Sequence, residues 1–245
     1  MVDKWLYFAR SRYLPARCVL CGAPGSDGRD LCAGCAADLP RLDPALGQAC
    51  RRCAAPLPSS SPGAVCGHCL RRPPPHEAAV AAFRYEPPLS RLITELKFHQ
   101  RLHLARLLGE ELAEAVAAAL ALRADEAPQV IVPVPLHRAR LRERGYNQAL
   151  ELARPVAARL DIPLAPSLCE RVRATSAQTD LPAGRRRANV RGAFRANDCS
   201  GVDRVALVDD VLTTGHTVAE LARVLKRAGV RRVEVWGCAR AAAPG

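Results

Sequence analysis

The chain has 245 residues, 49% of them hydrophobic and 24% charged, which is enough for one full core plus a small appended module. Its formal charge of +12 favours polyanionic partners such as nucleic acid, phosphorylated substrates or an anionic membrane surface. No apolar run reaches the length of a membrane span, and Met1 to Arg10 is too short and too interrupted for a signal peptide, so a helix-spanning or exported protein is excluded and a cytoplasmic one is expected. Those first residues read as a short amphipathic helix packing on the domain, with a membrane-surface foot as the alternative. An Ala, Arg and Pro bias accompanies the net charge, so where the charge sits matters more than its total.

The first element in chain order is a set of cysteines. Eight of the eleven form four C-x-x-C pairs: Cys18/Cys21, Cys32/Cys35, Cys50/Cys53 and Cys66/Cys69. Two thiolates three positions apart grip one side of a tetrahedral ion, and two such knuckles complete a closed four-thiolate site. Four knuckles therefore imply two structural zinc ions, with residues 1–75 forming a double zinc ribbon and 76–245 a second domain. Sequential pairing of the knuckles is favoured, although an interleaved cross-brace uses the same eight residues. His68 and His76 are bystanders, because eight thiolates already satisfy two ions. Cys169, Cys199 and Cys238 are isolated and read as buried thiols.

Beyond the Pro-rich stretch at 71–76, strands and helices alternate. Residues 80–85 read as a strand, 89–98 as a short helix, and 102–122 as an Ala- and Leu-rich helix whose only weak point is Gly109. A buried strand at 130–134 leads directly into Arg138, Arg140, Arg142 and Arg144, which with Gly145 read as a basic loop on the ligand side of a sheet. A helix at 147–160 and a strand at 168–173 follow. A second basic cluster spans 171–195, with seven Arg against one Asp, and a further strand is expected at 189–195. Strand 204–208, helix 217–228 and strand 233–239 complete the series. This alternation implies an α/β fold with a mostly parallel sheet covered on both faces.

The segment VALVDDVLTTGHT at 205–217 carries the most chemistry. A buried strand ends in two carboxylates, Asp209 and Asp210, and a small-residue loop then opens a helix. An open α/β sheet builds a sugar-phosphate site in this order, at the carboxyl end of a strand. Helix-start N–H groups can hold a phosphate, and the two carboxylates can accept hydrogen bonds from ribose hydroxyls. The plainer reading is a strand-to-helix corner capped by Thr213 or Thr214.

This segment closely resembles the phosphoribosyl-pyrophosphate (PRPP) signature of type I phosphoribosyltransferases. The resemblance implies that Asp209 and Asp210 bind the ribose hydroxyls. It also implies that Val211 and Leu212 belong to the PRPP site and that Thr213, Thr214, Gly215, His216 and Thr217 wrap the 5′-phosphate. Arg138, Arg142, Arg144 and Arg173 would face pyrophosphate, with a mobile basic hood in the second cluster. Purine-type members usually carry an Asp where Thr213 stands, so a general base for a purine is not implied here.

Three stretches, PVPLHRARLRERGYNQ at 133–148, RVRATSAQTDL at 171–181 and RRANVRGAF at 186–194, are similar to hallmarks of ComF-type proteins. The double zinc ribbon and the spacing of Tyr85, Lys97 and Phe98 are similar as well. That family implies the type I phosphoribosyltransferase fold, PRPP with Mg²⁺, and a cytosolic bacterial role in natural transformation and DNA uptake. The alternative is a non-catalytic protein that binds single-stranded DNA through the same pocket and its basic loops. An aromatic content of only 4% argues mildly against extensive base stacking.

Overall fold

A computed structural model of the protein describes residues 16–43, 46–58, 64–123, 127–174 and 189–242. The expected helix at 1–10 and most of the expected hood, at 175–188, lie outside them. Two short helices, α1 (Ala33–Ala37) and α2 (Gly67–Arg71), belong to the cysteine-rich segment. Strand β1 (Ala78–Arg84) follows, then α3 (Leu89–Phe98) and α4 (His103–Ala121). Next come β2 (Val130–Pro133), α5 (Arg138–Arg144) and α6 (Gln148–Leu160). A two-stranded antiparallel unit, β3 (Cys169–Arg171) with β4 (Phe194–Ala196), precedes β5 (Arg204–Leu212), α7 (His216–Arg227) and β6 (Arg232–Arg240).

The main sheet is parallel throughout, in the order β1-β6-β5-β2. Side chains alternate between its faces, as the two-residue period of a strand requires. Val80, Ala82, Ile131, Ala206, Val208 and Trp236 pack with α3, α4 and α6. Ala81, Val132, Val205, Leu207, Val233 and Val235 pack with α7 and the antiparallel unit. A sheet buried on both faces has near-continuous apolar strands, and β5 and β6 follow that rule. The architecture is therefore the expected α/β one, a parallel sheet flanked by helices.

Four local expectations change. The Arg138–Arg144 stretch is a helix, not a loop: the His137 ring accepts the Ala139 N–H at 3.3 Å, and Gly145, at φ 84°, closes the last turn. Strand β5 runs four residues further than expected, through both aspartates. The expected strand at 189–195 is confined to Phe194–Ala196, and residues 189–190 are helical. Gly109 is a crossing point instead of a weak point: a Cβ there would lie 2.3 Å from Pro155 Cγ and 2.6 Å from the Leu152 carbonyl, so its bare backbone lets α4 and α6 approach.

Both outer strands are partly covered. Along β1, Leu42 donates to the Ala82 carbonyl and Arg84 donates to the Pro40 carbonyl, each at 2.8 Å. Along β2, Ile131 donates to Pro163 and Ala165 donates to Ile131, again at 2.8 Å. Backbone groups at a sheet edge would otherwise be left for another chain to pair with.

Candidate functional site: two thiolate clusters and a cationic cavity

The cysteines gather sequentially: Cys18, Cys21, Cys32 and Cys35 in one cluster, Cys50, Cys53, Cys66 and Cys69 in the other. Within each, all four sulfurs lie within 4.8 Å of one another. The two clusters repeat one local design. Each first knuckle is a tight turn, Gly22 N–H to Cys18 O at 2.8 Å and Ala54 N–H to Cys50 O at 2.7 Å, closed by a residue at positive φ. Each second knuckle opens a short helix, with Cys32 at the N-cap of α1 and Cys66 at that of α2. Peptide N–H groups point at sulfur, Cys35 to Cys32 Sγ at 3.4 Å and Cys66 to Cys50 Sγ at 3.2 Å. Four convergent thiolates with no vacant position fit structural zinc, and the interleaved arrangement is excluded.

The ribbons are anchored to the sheet domain. Glu111 of α4, with a side chain 1% exposed, receives Arg29 at 3.2 Å and Arg41 at 2.6 Å. His76 is no ligand: its Nε2 bonds the Arg52 carbonyl at 2.9 Å, and burial lowers its pKa to about 4. It is therefore neutral and braces the second ribbon.

A cavity of about 670 Å³ opens at the carboxyl ends of the strands. Asp209, Val211, Leu212, Thr213, Gly215 and Thr217 line it. Thr214 and His216 bond each other instead, Oγ1 to Nδ1 at 3.0 Å. Gly215, at φ 74°, is the N-cap of α7 and supplies no side-chain cap. The aspartates diverge because neighbours on a strand face opposite ways. Asp209 is half-buried on the cavity wall; Asp210 is 4% exposed and meets Lys97 Nζ at 3.0 Å through Oδ1, leaving Oδ2 without a hydrogen-bond partner. Burial first, then the Asp210 charge, pushes the Asp209 carboxyl up to about 7 against the pull of Lys97. Burial alone would lower Lys97, but the two carboxylates outweigh it and its pKa rises.

The helical form of α5 sorts its arginines. Arg140 and Arg144, one turn apart, are half-buried on the cavity wall, whereas Arg138 and Arg142 are exposed and outside it. Arg144 is doubly fixed, donating to Gln148 Oε1 at 2.5 Å and lying 5.6 Å over the Phe98 ring. Arg173 is not on the wall: its Nη2 donates to the carbonyls of Asn189 at 3.0 Å and Arg191 at 2.6 Å, tying the two flanks of 175–188 together. Sequence reasoning placed Arg140 and Arg171 in the two basic clusters without singling either out, and assigned no pocket role to Lys97, Tyr85 or Phe98; all five line the wall. The helical spacing of Arg140 and Arg144 was the available signal for sorting the first cluster; for Lys97 no local pattern exists. Among the described residues no helix is long and apolar enough to cross a membrane.

Fold and site together define a class: a parallel α/β protein with a charged cavity at its strand ends, joined to two four-thiolate ribbons. Residues 11–70 match the family model described as a double zinc ribbon domain. The chain is 38% identical over 225 residues to the DNA utilization protein YhgH of Salmonella typhimurium, covering 91% of this chain and 96% of that one. The Escherichia coli K12 protein of the same name is 37% identical over 224 residues, with the same coverage. Competence protein F of Haemophilus influenzae is 40% identical over 179 residues, 72% of this chain and 78% of the relative. The chain belongs to the ComF family.

Proposed function

We propose that the cavity binds PRPP with Mg²⁺ and transfers its phosphoribosyl group, in the DNA-utilization and competence role that the relatives' names record. The observation that carries this reading is that Asp209, Thr213, Gly215 and Thr217 line one cavity together with Arg140, Arg144, Arg171 and Lys97. Asp209 accepts from the ribose hydroxyls. The loop and the first turn of α7 take the 5′-phosphate. The arginines face the diphosphate and stabilise the charge that develops as it leaves. The bond from C1 to the diphosphate oxygen breaks with its electron pair going to pyrophosphate, and C1 gains oxocarbenium character. The acceptor's lone pair forms the new bond at C1. Its proton goes to solvent, because Thr213 is no base near neutral pH. The acceptor is therefore one that needs no protein base, as orotate or ammonia would be.

Mg²⁺ would find the Asp209 carboxylate as a hard oxygen donor on the cavity wall, whereas Asp210 faces inward to Lys97 and would act on the ion only through its charge. When bound, the ion neutralises diphosphate charge. Residues 1–75 act as a zinc-stabilised module on a catalytic unit of 76–245, and the protein works in the cytoplasm.

Calorimetric titration of the zinc-loaded protein with PRPP, with and without Mg²⁺, tests this reading. Saturable, Mg²⁺-dependent binding is expected, lost in the double variant Asp209→Ala/Asp210→Ala while its fold persists. Unchanged affinity in that variant would overturn the site. A second reading, binding of single-stranded DNA without catalysis, draws on exposed Phe98 beneath Arg144 at the same cavity, a cation beside a stacking face. In that case oligonucleotide affinity falls steeply with salt; competition by PRPP would mean that the pocket serves both, and indifference to PRPP that the DNA is held by binding alone.

A further inference from the structure

Strand β6 ends in Arg240, in register with Leu212 of β5 and Arg84 of β1. The residue is 7% exposed. Its Nη1 donates to the Leu212 carbonyl at 2.6 Å, to the Thr213 carbonyl, and to the Ala241 carbonyl at 3.1 Å. The Ala241 N–H adds a main-chain tie to the Leu212 carbonyl at 3.0 Å. Nε is buried and has no hydrogen-bond partner. Arg240 is not on the cavity wall; it stands behind the point where β5 becomes the Thr213–Thr217 loop.

Among the described residues Arg240 donates to neutral carbonyls, and a buried guanidinium without an acidic partner is a poor stabiliser because no opposite charge offsets its desolvation. Its effect is on the loop. In a trans peptide the C=O and the next N–H point in opposite directions. The carbonyls of Leu212 and Thr213 share peptides with the N–H groups of Thr213 and Thr214. Holding those carbonyls back toward Arg240 turns these two N–H groups the other way.

We propose that Arg240 is the positioning residue of this anion site: it sets the loop's peptide planes for a phosphate monoester and supplies a fixed positive charge behind them. The assignment rests on the phosphoribosyl reading above and adds a residue from the far strand to it. It also makes an unusual combination of effects. Replacing Arg240 by an apolar side chain of similar length removes an uncompensated buried charge, so the ligand-free protein is no less stable, while the anion is held more weakly.

The probe is ribose 5-phosphate, titrated calorimetrically into the zinc-loaded full chain, with thermal unfolding of each ligand-free protein alongside. Expected are binding by the wild type, retention within about threefold in Arg240→Lys, whose ammonium can still donate to carbonyls. In Arg240→Met the expected loss is about ten- to a hundredfold, the scale of charge-assisted hydrogen bonds, with an unfolding temperature unchanged or raised. Wild-type affinity in Arg240→Met overturns the proposal. So does a fall in unfolding temperature that Arg240→Lys shares, which marks a purely structural role. A wild type that does not bind ribose 5-phosphate overturns the phosphoribosyl reading itself, an outcome visible before any variant is made.

Discussion

Asp209 is held in its protonated form more readily in the folded chain than in the unfolded one. A carboxyl raised in this way stabilises the fold fully below about pH 4 and loses that contribution as pH climbs through about 7. Asp209→Asn removes the effect. Urea unfolding of the ligand-free protein is therefore expected to show the wild type weakening relative to the variant between about pH 5 and pH 8. The difference is about 1–2 kcal/mol, discounted for solvent at its cavity edge. Parallel pH profiles would contradict the assignment. The carboxylate proposed to hold the ribose is thus one the empty fold would be more stable without. Asp209 and the Thr213–Thr217 loop were legible because they are contiguous and follow a buried strand. Lys97 was not, because a lone residue delivered to the cavity from another part of the chain leaves no local pattern. Nor does a sequence show that Thr214 and His216 engage each other.

At the level of elements, the boundaries that moved have physical reasons. Four arginines at alternate positions before a glycine look like a loop, yet arginine is a good helix former and Gly145 is the stop signal of a helix. The resulting 3.6-residue period decides which guanidiniums reach the cavity. Strand β5 outruns its apolar run because its carboxylates are satisfied locally: Asp209 accepts the Asp210 N–H at 3.0 Å and Asp210 accepts the Val211 N–H at 2.6 Å. Gly109 makes the sharpest test. Helix propensity alone says Gly109→Ala should gain about 1 kcal/mol. The contact with Pro155 and the Leu152 carbonyl says otherwise, since one methyl group forces α4 away from α6. Gly109→Ala is expected to destabilise by about 2 kcal/mol in denaturant unfolding, the range for overpacked cores. A stabilised variant would mean that the helices part freely.

At the scale of the molecule, the eight cysteines were legible in their spacing, because metal chemistry imposes a strict local grammar, while their sequential pairing was only favoured until the structure grouped them. What the grammar omits is the mooring: Arg29 and Arg41 on Glu111, and residues 40–42 along β1. Those contacts make zinc a structural matter for the whole chain. Stripping it with a strong chelator is expected to lower the unfolding temperature by about 10 °C or more, reversibly on adding zinc back. Light scattering is expected to rise as the β1 edge becomes available to other chains. A stripped protein that stays monomeric with an unchanged transition would show that the ribbons do not support the sheet. The alternation of strands and helices was also readable, but the strand order was not, because nothing in an apolar segment says which neighbours it will take. That order governs how the molecule comes into being. The first strand, β1, leaves the ribosome well before β6, and β6 is the strand that must slot between β1 and β5. Until then the nascent chain carries a sheet in two unjoined parts, with the acidic pair and its loop made but Arg240 still to come. The last strand of this sheet to be made is thus the keystone of both the sheet and the loop that follows β5.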